Sequence, residues 1–91
     1  MIDRNKISTG DLVKVIGEPR LTYSRGHSLA EFIKDNKGSD IGKVVMKDSD
    51  GKHLDVEGAV TGHDNWDWYP EDLEPLSENE MMRFRYEWGK L

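Results

Sequence analysis

The stretch Ile41-Gly42-Lys43-Val44-Val45-Met46-Lys47-Asp48-Ser49-Asp50-Gly51-Lys52-His53-Leu54-Asp55-Val56-Glu57 decides the fold. Residues 41 to 47 are rich in β-branched side chains, and Leu54 and Val56 alternate with His53, Asp55 and Glu57, so both ends read as strands with one apolar face. Between them Asp48-Ser49-Asp50-Gly51 ends on a pair suited to positive φ in a tight reversal. The spacing predicts a β-hairpin whose sheet is buried on one side only.

Upstream, Gly10-Asp11 opens Leu12-Val13-Lys14-Val15-Ile16, and Gly17-Glu18-Pro19 closes it, which predicts a first strand. The connection from residue 17 to residue 40 is too long for a plain hairpin loop and is expected to carry structure of its own. Within it Ser28-Leu29-Ala30-Glu31 matches a capping box, predicting a short helix near residues 28 to 36 with Leu29, Phe32 and Ile33 on one side. Downstream, Asn65 to Tyr69 reads as a short strand before the tight turn Pro70-Glu71-Asp72-Leu73. A second capping box, Ser77-Glu78-Asn79-Glu80, starts a helix over about residues 78 to 88, whose Met81, Phe84 and Trp88 form one stripe and Met82 and Tyr86 another. Gly89 ends it. No internal repeat or low-complexity tract interrupts this order.

Gly10-Asp11-Leu12-Val13-Lys14-Val15, then Ile41-Gly42-Lys43-Val44-Val45, then Trp68-Tyr69-Pro70-Glu71-Asp72-Leu73-Glu74 appear in an order that resembles the small SH3-like β-barrels, including their KOW-type relatives. The resemblance covers about residues 8 to 76. It implies a mainly β chain: a five-stranded, partly open barrel with a short helix in the first long loop and an added C-terminal α-helix, all in one domain spanning residues 1–91. The acidic specificity loop and ALYDY-like segment of peptide-binding SH3 domains are missing, so binding of proline-rich ligands is not implied. Compact acidic barrels with such appendages also resemble the small host-directed proteins that phages encode.

The net charge of -5 conceals a segregation. From Asp48 to Glu80 there are eleven acids and one base, Lys52, a local charge of -10; residues 1 to 47 carry +3 and residues 81 to 91 carry +2. An acidic middle argues against a general nucleic-acid binder, whose phosphate contacts need clustered Lys and Arg. It suits docking to a basic surface. The chain has no cysteine, which removes disulfides, thiolate metal sites and thiol nucleophiles and fits a reducing compartment. With no apolar run of membrane-spanning length and no secretory h-region, the expectation is a soluble, unprocessed, cytoplasmic protein without a membrane partner.

Gly62-His63-Asp64-Asn65-Trp66-Asp67-Trp68-Tyr69 sets large aromatics among carboxylates. On a strand, Trp66 and Trp68 share one face, and Asp67 and Tyr69 the other. Both tryptophans pack into the domain, or Trp66 stays partly exposed as an interaction anchor. The candidate partner-binding residues are Asp64, Trp66, Asp67, Tyr69, Glu71 and Asp72. A second reading makes Arg20, Tyr23, Arg25 and His27 a basic-aromatic patch for nucleic acid. The C-terminal helix either folds back over the barrel with Trp66 or Trp68 beneath it, or projects as a docking or weakly dimerising element.

Enzymatic signatures are missing. His27, His53 and His63 lack metal-ligand spacing, and Gly58 and Gly62 lack the ending of a phosphate loop. Asp48-Ser49-Asp50-Gly51 begins like a calcium loop, but its twelfth place is Ala59 where a bidentate glutamate is needed. The expectation is a non-enzymatic protein-interaction module without cofactor or metal. Its acidic face and exposed aromatics dock a basic partner and thereby modulate or inhibit a nucleic-acid machine.

Overall fold

The computed structural model describes residues 1–19, 27–49 and 51–89. Five strands, β1 Leu12–Val15, β2 Ile41–Lys47, β3 Leu54–Gly58, β4 Trp66–Trp68 and β5 Leu73–Pro75, form one antiparallel sheet in the order β4-β3-β2-β1-β5. Two helices accompany it, α1 Leu29–Asp35 and α2 Glu78–Trp88, with 3-10 turns at Arg4–Lys6 and Pro70–Asp72. The strands hold 4, 7, 5, 3 and 3 residues and the helices 7 and 11, so strand and helix contribute about equally where a mainly β chain was expected.

The β2–β3 hairpin forms as the alternation requires, with Val44 opposite Val56 and Lys47 opposite Leu54. Between these pairs the register shifts, so that Met46 faces Asp55 and one residue of β2 is extra. This bulge reverses the in–out phase of β2 beyond Val44. Met46, on the even parity that would place it inside, is 51% exposed instead. The fifth strand, which the sequence did not locate, ends on Pro75. Among the described residues it pairs only with β1, and a proline is tolerated on such an edge.

Val13 and Val15 from β1, Val44, Leu54, Val56, Trp68 and Leu73 point into one core, closed on one side by Phe32 of α1. Ile2 and Ile7 complete it. This N-terminal segment was not foreseen as part of the fold, yet Ile2 N–H donates to the Pro70 carbonyl at 3.1 Å. Arg4 donates through Nη2 to the Asp48 carbonyl at 2.6 Å and through Nε to the His53 carbonyl at 3.3 Å. It thereby ties the segment to the mouth of the hairpin. Gly42 of β2 lies against Val56 of the neighbouring β3, and a Cβ there would strike the Val56 side chain.

Both predicted caps form, in different ways. At α2 the box is reciprocal, Ser77 Oγ accepting from Glu80 N–H and Glu80 returning the bond to Ser77 N–H. At α1, Ser28 Oγ accepts from Glu31 N–H, but Glu31 turns outward to His27, and Glu18 accepts from Leu29 N–H at 2.7 Å instead. The C-terminus of α1 is fixed by Asn36, which is 1% exposed. Its amide donates to the carbonyls of Ser39 and Ile41 and accepts from Val60 and Thr61 N–H, so one side chain joins α1, β2 and the β3–β4 loop.

Helix α2 does fold back, but not over the tryptophans. Lys14 of β1 pairs with Glu80 and, with the helix cap, holds that carboxyl down to about 2. Buried Phe84 lines a cleft of ≈ 270 Å³ with Lys14, Ile41 and Trp88. Trp68 lies elsewhere, in the main core to which Phe84 does not belong. The chain leaves β5 beside β1, and the Lys14–Glu80 pair holds α2 there. The second stripe, Met82 and Tyr86, faces outward at 65% and 87% exposure.

Candidate functional site

Trp66 and Trp68 share the inner face of β4, their ring centroids 6.1 Å apart. They divide the roles that the sequence left open. Trp68 is fully buried, edge-on to Phe32 at 5.0 Å, and its indole Nε1 donates to the Gly17 carbonyl at 2.9 Å. Trp66 is half-buried at the rim of the core, and His27 stacks on it with centroids 4.2 Å apart and planes within 21°.

Carboxylates surround this stack. His27 Nδ1 lies 3.1 Å from Glu31 Oε2. Asp64 occupies the β3–β4 loop with φ 62°, a left-handed conformation that a short polar side chain tolerates. Burial pushes its carboxyl up to about 6, helped by a hydrogen bond with Asp35 and by the negative charge of Asp35 and Glu31. Three acids from two elements therefore converge beside an indole and an imidazole, and their mutual repulsion favours any arriving positive charge.

Because the Asp64 pKa is raised above its unfolded value of 3.8, the folded state holds this proton more tightly, and stability is lost as pH rises from about 4 through about 6. Asp64→Asn removes that penalty and suits the left-handed backbone. The variant is expected to show a higher urea midpoint than the parent at pH 7 and the same midpoint near pH 3.5. An equal difference at both pH values would show that the carboxyl is not perturbed.

Asp67 belongs to the opposite side of the sheet and is 3% exposed, so it forms no part of the surface around Trp66. It stands directly across from Asp55 of β3, and oxygens of Asp48, Asp55 and Asp67 lie within 4.8 Å of one another. His53 flanks the group, its Nδ1 3.8 Å from Asp48 Oδ2 and its ring edge-on to Tyr69 at 4.5 Å. Burial raises the Asp67 pKa.

The other expected site residues are dispersed. Tyr69 is engaged with His53. Glu71 and Asp72 sit in the 3-10 turn, where Asp72 packs against Gly17 so closely that no Cβ fits there. Of the alternative patch, Arg20, Tyr23 and Arg25 lie outside the described residues, and His27 is committed to Trp66 and Glu31. Glu31, Asp35, Asp48 and Asp55 were missed as site residues, since each is brought in by tertiary pairing. No protein-family model, curated protein or solved structure significantly matches the chain. Among the described residues, no helix is long and apolar enough to cross a membrane.

Proposed function

We propose that the chain is a non-enzymatic docking module of SH3-like barrel type that receives a cationic side chain of a basic protein partner at Trp66. The barrel reading is supported by the two edges of the sheet. β4 and β5 are consecutive, joined by residues 69 to 72 alone. In a flat sheet of five strands the edges stand about 19 Å apart, beyond the reach of four residues that include a 3-10 turn. The sheet must curl to bring them near.

The docking reading is carried by one observation, the convergence of Glu31, Asp35 and Asp64 on the Trp66–His27 stack. A lysine or arginine placed there meets carboxylates and an aromatic face together. A partner whose basic groove otherwise receives nucleic acid offers such side chains in number, and the module then acts as a competitor for that groove.

Titrating a labelled Lys/Arg-rich peptide against the full chain tests this, with intrinsic fluorescence as readout. Affinity is expected to fall about tenfold or more between 50 and 200 mM salt, and by a similar factor in Asp35→Asn/Asp64→Asn. Trp66→Ala is expected to abolish the fluorescence change. Affinity unmoved by salt and by the double substitution would exclude this surface.

A further inference from the structure

We infer that Asp48, Asp55 and Asp67 form a binding site for a hard divalent cation, calcium in preference to magnesium, on the sheet face opposite Trp66. Asp55 and Asp67 are directly paired across β3 and β4. Like charges in that position repel at close range. Among the described residues Asp67 Oδ2 has no hydrogen-bond partner, on a residue only 3% exposed, while an oxygen of each of the three carboxylates lies within 4.8 Å of the others. A carboxylate buried in this state needs a counter-charge. All-oxygen donors suit a hard cation rather than zinc or copper.

The chemistry of the site favours the larger ion. Magnesium demands near-ideal octahedral geometry and gives up its water reluctantly, whereas calcium accepts irregular sets of carboxylate oxygens. Oxygens of all three carboxylates lie within 4.8 Å of one another, close enough to share one ion. The remaining coordination places fall to water, as is usual for sites with few protein ligands.

The fold assembles this group by a specific device. On an unbroken β2, Asp48 has the parity of Val44 and would point to the core side, away from Asp55. The extra residue between Val44 and Met46 reverses that parity and delivers Asp48 to the side of Asp55 and Asp67. Arg4 then fixes the backbone there. Its Nη2 and Nε take the carbonyls of Asp48 and His53 rather than the Asp48 carboxylate, which lies beside the other two acids with His53 Nδ1 at 3.8 Å.

Terbium, a luminescent substitute for calcium, tests the site on the full chain, since Trp68 and Tyr69 adjoin Asp67 and can sensitise its emission. Sensitised emission is expected in the parent, displaced by CaCl2 at lower concentration than by MgCl2. Thermal melts are expected to shift upward with CaCl2 against KCl of equal ionic strength; at one hundred times the Kd the folded-to-unfolded ratio rises about 100-fold. Asp67→Asn and Asp48→Asn should each lose both responses, and Asp64→Asn should keep them. No shift beyond the KCl control, or the same response in Asp67→Asn as in the parent, overturns the assignment.

Discussion

Trp68→Ala is expected to cost about 3–5 kcal/mol, a large fraction of the stability of so small a chain. A domain of this length has about 5–14 kcal/mol in all, at about 0.05–0.15 kcal/mol per residue. Trp68 is fully buried, stands edge-on to Phe32, and supplies the hydrogen bond to the Gly17 carbonyl. Alanine leaves a large cavity and strands that carbonyl. Trp68→Phe keeps most of the apolar volume and loses the donor, so its cost should be near 1–2 kcal/mol. Urea denaturation of both variants measures the difference. If the two variants lost equal stability, the hydrogen bond rather than the volume would be the dominant contribution.

Asn36→Leu is expected to be nearly as damaging, about 3–5 kcal/mol, although it replaces a polar side chain in the interior by an apolar one of similar size. The amide of Asn36 makes four bonds, to Ser39, Ile41, Val60 and Thr61; its removal takes the donor from the Ser39 carbonyl and the acceptor from the Val60 and Thr61 N–H groups, and leaves the Ile41 carbonyl with Ala59 N–H alone. Each stranded buried group costs about 1–3 kcal/mol, less where water reaches it. Asn36→Asp keeps the two accepted bonds and loses the two donated ones, placing a carboxylate against two carbonyls. Its defect should shrink as pH falls and the acid protonates. The urea midpoint of Asn36→Asp at pH 4 against pH 7 reports this, and a defect independent of pH would mean that the side chain turns out to solvent.

The hairpin was legible in the sequence because its signal is local: alternation at Leu54 and Val56, and a turn before Lys52. The helices were legible for the same reason, since Ser28 and Ser77 lie three residues from Glu31 and Glu80 and a cap needs nothing more distant. What escaped depends on partners far along the chain. Ile2 and Ile7 carry no periodic pattern, and only the position of Pro70 and the hairpin makes them core. Asn36 reads as an ordinary helix end until Val60 and Thr61 arrive at it. The carboxylate group was hidden twice over. Alternation alone assigns Asp48 to the wrong side, and the bulge that corrects it has no sequence mark; searching forward from Asp48 for a calcium loop then meets Ala59 rather than Asp55 and Asp67. The candidate docking surface was half legible, with Trp66 and Asp64 read from their stretch and Glu31 and Asp35 supplied by the fold.

Helix α2 rests on the sheet through Lys14, Glu80 and Phe84, outside the cluster that holds Trp68 and Phe32. The molecule therefore has two tiers of opening. Amides in β2 and β3 are released to solvent only when the whole core comes apart, whereas those of α2 are released whenever the Phe84 contact and the Lys14 ion pair let go, a smaller event whose free energy does not follow the global one. A protease that finds its site in the C-terminal helix can therefore act on the folded population.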